Sequence, residues 1–175
     1  MEYSLRGWPA DGPTLNLDHE RFAYAGKFVI STTGKAVVRA DDAIVAAAAF
    51  DTDRTDEDCL RLRYVTVRED RRGEGIGSRL LRFVVERARE HGYDEVKAGV
   101  NNPVAYEAFY KGGLAYTGEQ TGLAELVCST TAERRPGRYR AGLEAYRERD
   151  LSETDQRFVD DRISGGPPSV IDSPE

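Results

Sequence analysis

Between residues 60 and 100 the apolar pattern changes period twice, and no other stretch constrains the fold as much. Residues 60–67 (LRLRYVTV) alternate like a strand: Leu60, Leu62 and Tyr64 stand against Arg61 and Arg63, followed by Val65 and Val67. In residues 78–91 the apolar positions Leu80, Leu81, Val84, Val85 and Ala88 recur at helical spacing, with Arg82, Glu86, Arg87 and Glu90 opposite. Gly92 stands where a helix C-terminal cap belongs. Residues 95–100 (EVKAGV) return to strand character. Strand, helix, strand in that order implies a right-handed crossover and a parallel pair, so an α/β (α+β) fold is expected.

The rest of the chain builds around this unit. Residues 3–8 read as a short strand, and residues 18–25 as a helical turn or two ended by Gly26. Residues 35–39 (KAVVR) and 44–50 form a hairpin through Asp41 and Asp42. Asn101-Asn102-Pro103 opens a second helix with proline in its first turn; it runs to about Lys111 and stops at Gly112-Gly113. Residues 114–117 and 123–128 suggest a closing hairpin. The core is expected to end near residue 130. That makes residues 1–130 the main domain and 131–175 a helical extension with a frayed end, carrying a stripe of Tyr139, Leu143 and Tyr146. Ser152 and Asp155 resemble a capping box for its last helix.

The junction between the strand at 60–67 and the helix at 78–91 reads VREDRRGEGIGSRLL. Three glycines within five residues exceed what a turn needs. A Walker A loop would require Gly-Lys-Ser/Thr, but Gly77 is followed by Ser78-Arg79. A dinucleotide fingerprint would require G-x-G-x-x-G, and no acid for a ribose follows the second strand. A third reading fits better. Without side chains in the way, the backbone N–H groups of residues 72–77 can converge on a pyrophosphate, and the following helix adds its positive end.

The stretch Arg72-Gly73-Glu74-Gly75-Ile76-Gly77 obeys R/Q-x-x-G-x-G/A, and resembles the acetyl-CoA loop of the GNAT acetyltransferases. Asn102, Pro103, Ala105, Phe109, Tyr110 and Gly113-Leu114 resemble that family's second signature, and the likeness covers roughly residues 35–128. The resemblance implies a mixed, mostly antiparallel sheet with a splayed central parallel pair, helices on both faces, and the C-terminal extension added. It implies acetyl-CoA as cofactor. Backbone groups of Val65, Thr66 and Val67 would meet the pantetheine arm, and Gly73, Glu74, Gly75, Ile76, Gly77 and Ser78 the pyrophosphate. Arg71 and Arg72 are candidates for added phosphate contacts, and Asn102 and Phe109 for the cofactor wall. The Val67 N–H would face the developing oxyanion, and Tyr110 would protonate the leaving thiolate. The family spacing, counted back from Gly113, falls on Phe109 rather than Tyr110, and Tyr106 is held in reserve. Glu125, which interrupts the apolar run at 123–127, is the candidate base.

The chemistry implied is direct acetyl transfer to a primary amine of a small molecule or peptide. The alternative is a module of the same fold that senses acyl-CoA without turnover. Composition narrows the partners. With 31 acidic and 25 basic residues the net charge is -6, which argues against nucleic-acid binding. Only residues 61–91 are locally basic, and they surround the glycines. Four lysines and abundant arginine and aspartate suit a salt-loving, haloarchaeal-type source. No apolar run is long enough for a membrane span, and no secretory signal is visible. Cys59 and Cys128 make neither a disulfide framework nor a zinc site, so a cytoplasmic protein without metal is expected. The tail is placed to pack on the core, cover the acceptor site or pair two subunits as a homodimer.

Overall fold

The computed structural model describes residues 1–122 and 124–174. In chain order its elements are β1 (Glu2–Leu5), β2 (Gly34–Ala40), β3 (Ala43–Thr52), β4 (Cys59–Val67), α1 (Ile76–His91), β5 (Glu95–Val100), α2 (Pro103–Gly112), β6 (Ala115–Gln120), β7 (Leu126–Ser129), α3 (Pro136–Arg147) and α4 (Glu153–Gly165). The strands form one sheet in the order β1-β2-β3-β4-β5-β7-β6. Only β4 and β5 are parallel; the other pairs are antiparallel. The expected fold class is what is found. Leu123, expected to begin the last strand, lies outside the described residues.

Successive residues of β2 and β3 serve opposite faces. Ala36, Val38, Ala46 and Ala48 join the larger apolar cluster, where Val84 of α1, Tyr106 of α2, Tyr139 of α3 and Val159 of α4 also lie. Val37, Ala47 and Ala49 join a smaller cluster on the other face, closed by Leu15 and by Phe28 of a 3₁₀ helix (Ala25–Val29). The expected turn of helix ending at Gly26 is therefore displaced. Residues 19–24 make turns, and Gly26 lies inside the 3₁₀ helix.

Alternation along β4 also departs from expectation. Ala49 pairs with Tyr64 but Phe50 pairs with Leu62, so Arg63 is an extra residue in a β-bulge. The bulge turns Tyr64 to the smaller cluster, while Leu60, Leu62, Val65 and Val67 serve the larger one.

The core does not end near residue 130. Tyr139, Leu143, Tyr146 and Val159 are buried in the main cluster. Tyr106 donates to the Tyr139 carbonyl at 2.9 Å, and Tyr146 to the Val100 carbonyl at 2.7 Å. Beyond α4 the tail is tied rather than frayed where it returns to α2: the Ile171 N–H donates to the Lys111 carbonyl at 3.0 Å. Among the described residues no helix is long and apolar enough to cross a membrane.

Candidate active site

Strands β4 and β5 pair from Cys59↔Glu95 to Leu62↔Ala98 and then separate, although β4 continues to Val67 and β5 to Val100. The bulge at Arg63 bends β4 away, while β5 stays paired with β7 as far as Val100↔Leu126. The orientation of the freed groups follows from two hydrogen bonds. The Arg68 N–H donates to the Val45 carbonyl of β3 at 2.8 Å, and the Val67 carbonyl accepts from Arg72 Nε at 3.3 Å. In a strand the N–H and C=O of one residue point the same way, and successive residues alternate. Val65 and Val67 therefore turn their backbone groups into the gap, and Thr66 turns its own to β3. The expectation that Thr66 offers its backbone is corrected. It lines the cavity instead, with its hydroxyl buried and unpartnered among the described residues.

At the end of β4 the three glycines divide their work. Gly73 and Gly75 adopt φ of +84° and +78°, which L side chains rarely do, and a Cβ on either would meet nothing within 4 Å. They line an open concavity. Gly77 has no such backbone demand; its Cβ would sit 3.4 Å from Val67 Cγ2, so it brings the first turn of α1 close to β4. Gly75 is the N-cap of α1 and supplies no side-chain cap. The first N–H groups of the helix thus receive no bond from an N-cap side chain, and the positive end of the helix dipole stands behind them.

Loop, strand end and α2 enclose a cavity of about 680 Å³. Val65, Thr66, Val67, Arg71, Arg72, Gly73, Gly75, Ile76, Gly77, Ser78, Asn102 and Phe109 all line it. Glu74 does not. Its carboxylate is held by Arg71 through bonds of 2.9 and 3.2 Å, which lowers the acid's pKa and raises that of the arginine. Arg71 is therefore paired with an acid, whereas among the described residues Arg72 bonds a carbonyl, that of Val67, and no carboxylate. Asn102 also has a structural duty: its side chain caps α2 by accepting from the Ala105 N–H at 2.8 Å.

Tyr110 is not at the cavity. Helix α2 continues through Gly112 and is capped by Gly113 at φ +108°, so it does not end one residue early. The rotation of about 100° per residue then puts Phe109 at the cavity and turns Tyr110 away. The Tyr110 ring lies 4.5 Å from that of Tyr139 and beneath Arg134, whose Cζ is 3.7 Å from its centroid. Tyr106 is fully buried, its hydroxyl spent on Tyr139, and burial drives its pKa far above the ordinary value.

A second, smaller cavity of about 190 Å³ adjoins the first, sharing Tyr24, Val65, Asn102, Ala105 and Phe109. Glu125 lies here, one residue before β7 rather than on it. Its carboxylate rests against Gly99, where a Cβ would come within 2.7 Å of Oε1. Tyr24 and Tyr64 also line this cavity, their rings 5.6 Å apart. Neither tyrosine was singled out from the sequence. A lone glycine inside a strand pattern does signal a close approach, and Gly99 was that signal for Glu125.

Other chemistries find less support. Burial pushes the thiols of Cys59 and Cys128 up to about 11 and about 12, so neither is a nucleophile at neutral pH. Among the described residues no group of His, Cys, Asp or Glu is arranged to hold a metal ion.

The freed end of β4 and the glycine-lined mouth of α1 thus meet at one cavity. The chain belongs to the acetyltransferase (GNAT) family, whose model matches residues 2–113. Among solved structures it is similar to an N-acetyltransferase from Staphylococcus aureus Mu50, at 19% identity and a TM-score of 0.49 over 55% of this chain and 66% of that one. It is also similar to the PaiA N-acetyltransferase of Thermoplasma acidophilum in complex with coenzyme A, at 18% and 0.47 over 54% and 58%. A Bacillus subtilis acetyltransferase in complex with CoA matches at 14% and 0.45 over 55% and 75%. The chain thus spans less than two thirds of the first two. No protein of curated function matches it in sequence.

Proposed function

We propose that this protein is an acetyl-CoA-dependent N-acetyltransferase acting on a primary amine. One observation carries the reading: β4 leaves β5 after Leu62, and its freed end, Val65 to Val67, lines the same cavity as the N-terminus of α1, where the N-cap is Gly75. The residues fit the cofactor. The Val65 backbone and the Val67 N–H face the gap and offer edges of the kind an amide-bearing arm pairs with, as an added strand does. The first turn of α1, Gly73, Gly75 and Arg72 offer donors and positive charge for a pyrophosphate.

Acetyl-CoA, when bound, supplies a thioester whose acetyl group passes to the amine. The Val67 N–H faces the gap and donates to the carbonyl oxygen as charge develops on it. Glu125 takes the proton of the attacking nitrogen from the smaller cavity, which we assign to the acceptor. Among the described residues Tyr24 is the tyrosine that lines both cavities, and its hydroxyl is our donor to the departing sulfur in place of Tyr110. Holding both reactants across the shared wall supplies much of the acceleration.

The test is thiol release from acetyl-CoA in the presence of a panel of primary amines. Turnover is expected with at least one, and Glu125→Gln should lower kcat about 100-fold while leaving the KM for acetyl-CoA unaltered. A second reading, binding without turnover, is favoured by one observation, the withdrawal of Tyr110 from the cavity. Tight acetyl-CoA binding with no transfer to any amine would establish it.

A further inference from the structure

Helix α4 lies outside the matched residues 2–113, yet two of its side chains, Phe158 and Arg162, form wall of the same cavity as the glycine loop. They meet it beside α2, against which α4 packs through Glu107. Arg162 bonds Glu107 through Nε, and Lys111 bonds the same carboxylate at 3.1 Å. Burial alone would raise the Glu107 pKa, but these two bonds outweigh it and lower the pKa, so the carboxylate is ionised. Two cations then share one anion and the cluster keeps a net positive charge. The terminal nitrogens of Arg162 make no hydrogen bond to the described residues. Its guanidinium is held over the Phe158 ring at 4.3 Å, which presents a flat half-buried surface with a cationic edge.

A pin between two helices needs one cation for one carboxylate. It needs neither the second cation nor an aromatic ring turned into a cavity. On the proposed reading of the site, the loop side of the cavity takes the pyrophosphate and the strand gap takes the thioester arm. The remaining part of the ligand is a nucleoside with a further phosphate, which needs a stacking surface and positive charge. We propose that α4 completes the cofactor site, with Phe158 stacking on the adenine and Arg162, together with Lys111, pairing with the ribose 3′-phosphate. The extension is then part of the binding machinery, and discrimination for that phosphate depends on Arg162, which lies outside the matched residues 2–113, acting with Lys111 inside them.

Calorimetry on the full chain tests this with CoA, dephospho-CoA (which lacks the 3′-phosphate) and acetylpantetheine, which lacks the nucleotide. The wild type is expected to bind CoA about tenfold more tightly than dephospho-CoA. Arg162→Gln should bind dephospho-CoA like the wild type and CoA about tenfold more weakly, so the discrimination disappears. Lys111 still holds Glu107 in that variant, and a thermal melt checks its fold. Lys111→Gln should reduce the same ratio. Phe158→Leu should weaken CoA and dephospho-CoA in proportion and leave acetylpantetheine unaltered. A wild-type ratio preserved in Arg162→Gln overturns the inference while leaving the acetyltransferase reading intact. A wild type that binds none of the three ligands overturns both.

Discussion

A side chain at position 75 acts twice against the site. It forces a left-handed backbone on an L residue, at about 1–2 kcal/mol, and it projects a Cβ into the concavity proposed for the pyrophosphate. Gly77 acts instead through its closeness to Val67. The same scale separates Phe109 from Tyr110. If Tyr110 is packing under Arg134 and against Tyr139, its hydroxyl takes no part in proton transfer. Tyr110→Phe should then leave kcat and the pH profile of acetyl transfer within about twofold of wild type, since a general acid contributes 100-fold or more. A hundredfold loss would return Tyr110 to the reaction. Two adjacent glycines, Gly112 and Gly113, each suit a helix end, and the sequence offers no means to choose between them. Packing chooses: a Cβ on Gly112 would lie 2.7 Å from Leu81 Cβ, so Gly112 is the contact glycine between α1 and α2 and Gly113 the cap.

Elements built from local patterns were the most legible. Helix α1 has its apolar stripe where the period puts it, and β5 has the bounds read from the sequence, because each pattern needs only near neighbours. The bulge in β4 was less so, although it opens the site. Apolar residues at 62, 64, 65 and 67 have no single period-2 reading, and only the register with β3 shows that Arg63 is the extra residue. Helix α3 makes a prediction at this scale. Gly142 lies in its interior, where alanine would ordinarily gain about 0.5–1 kcal/mol. A Cβ there would sit 2.2 Å from the Tyr106 hydroxyl and 2.5 Å from its Cζ, in a ring fully buried against Tyr139. Overpacking wins, and Gly142→Ala should destabilise the protein by about 2 kcal/mol in chemical denaturation. Stabilisation would mean that α3 does not pack on Tyr106 as described.

Over the whole molecule, one sheet serves two purposes. Its antiparallel margins build a core on both faces, and its one parallel pair is left open at the end where loop, α2 and α4 converge. The extension was read as an appendage because its contacts are distant in sequence; Tyr146 reaches back to Val100, and Arg162 to Glu107. No local period encodes such pairings. The proposed acceptor cavity was equally hidden, since Tyr24, Tyr64 and Glu125 come from three separate segments. On the proposed reading this shared cavity binds acetyl-CoA through the glycine loop. Titrating the protein with acetyl-CoA by calorimetry, with ATP and NAD as controls, is the test. One saturable site for acetyl-CoA is expected, with no comparable binding of ATP or NAD and loss of the site in Gly75→Val. Absence of acetyl-CoA binding in the folded wild type, or binding unaltered in Gly75→Val, would contradict it.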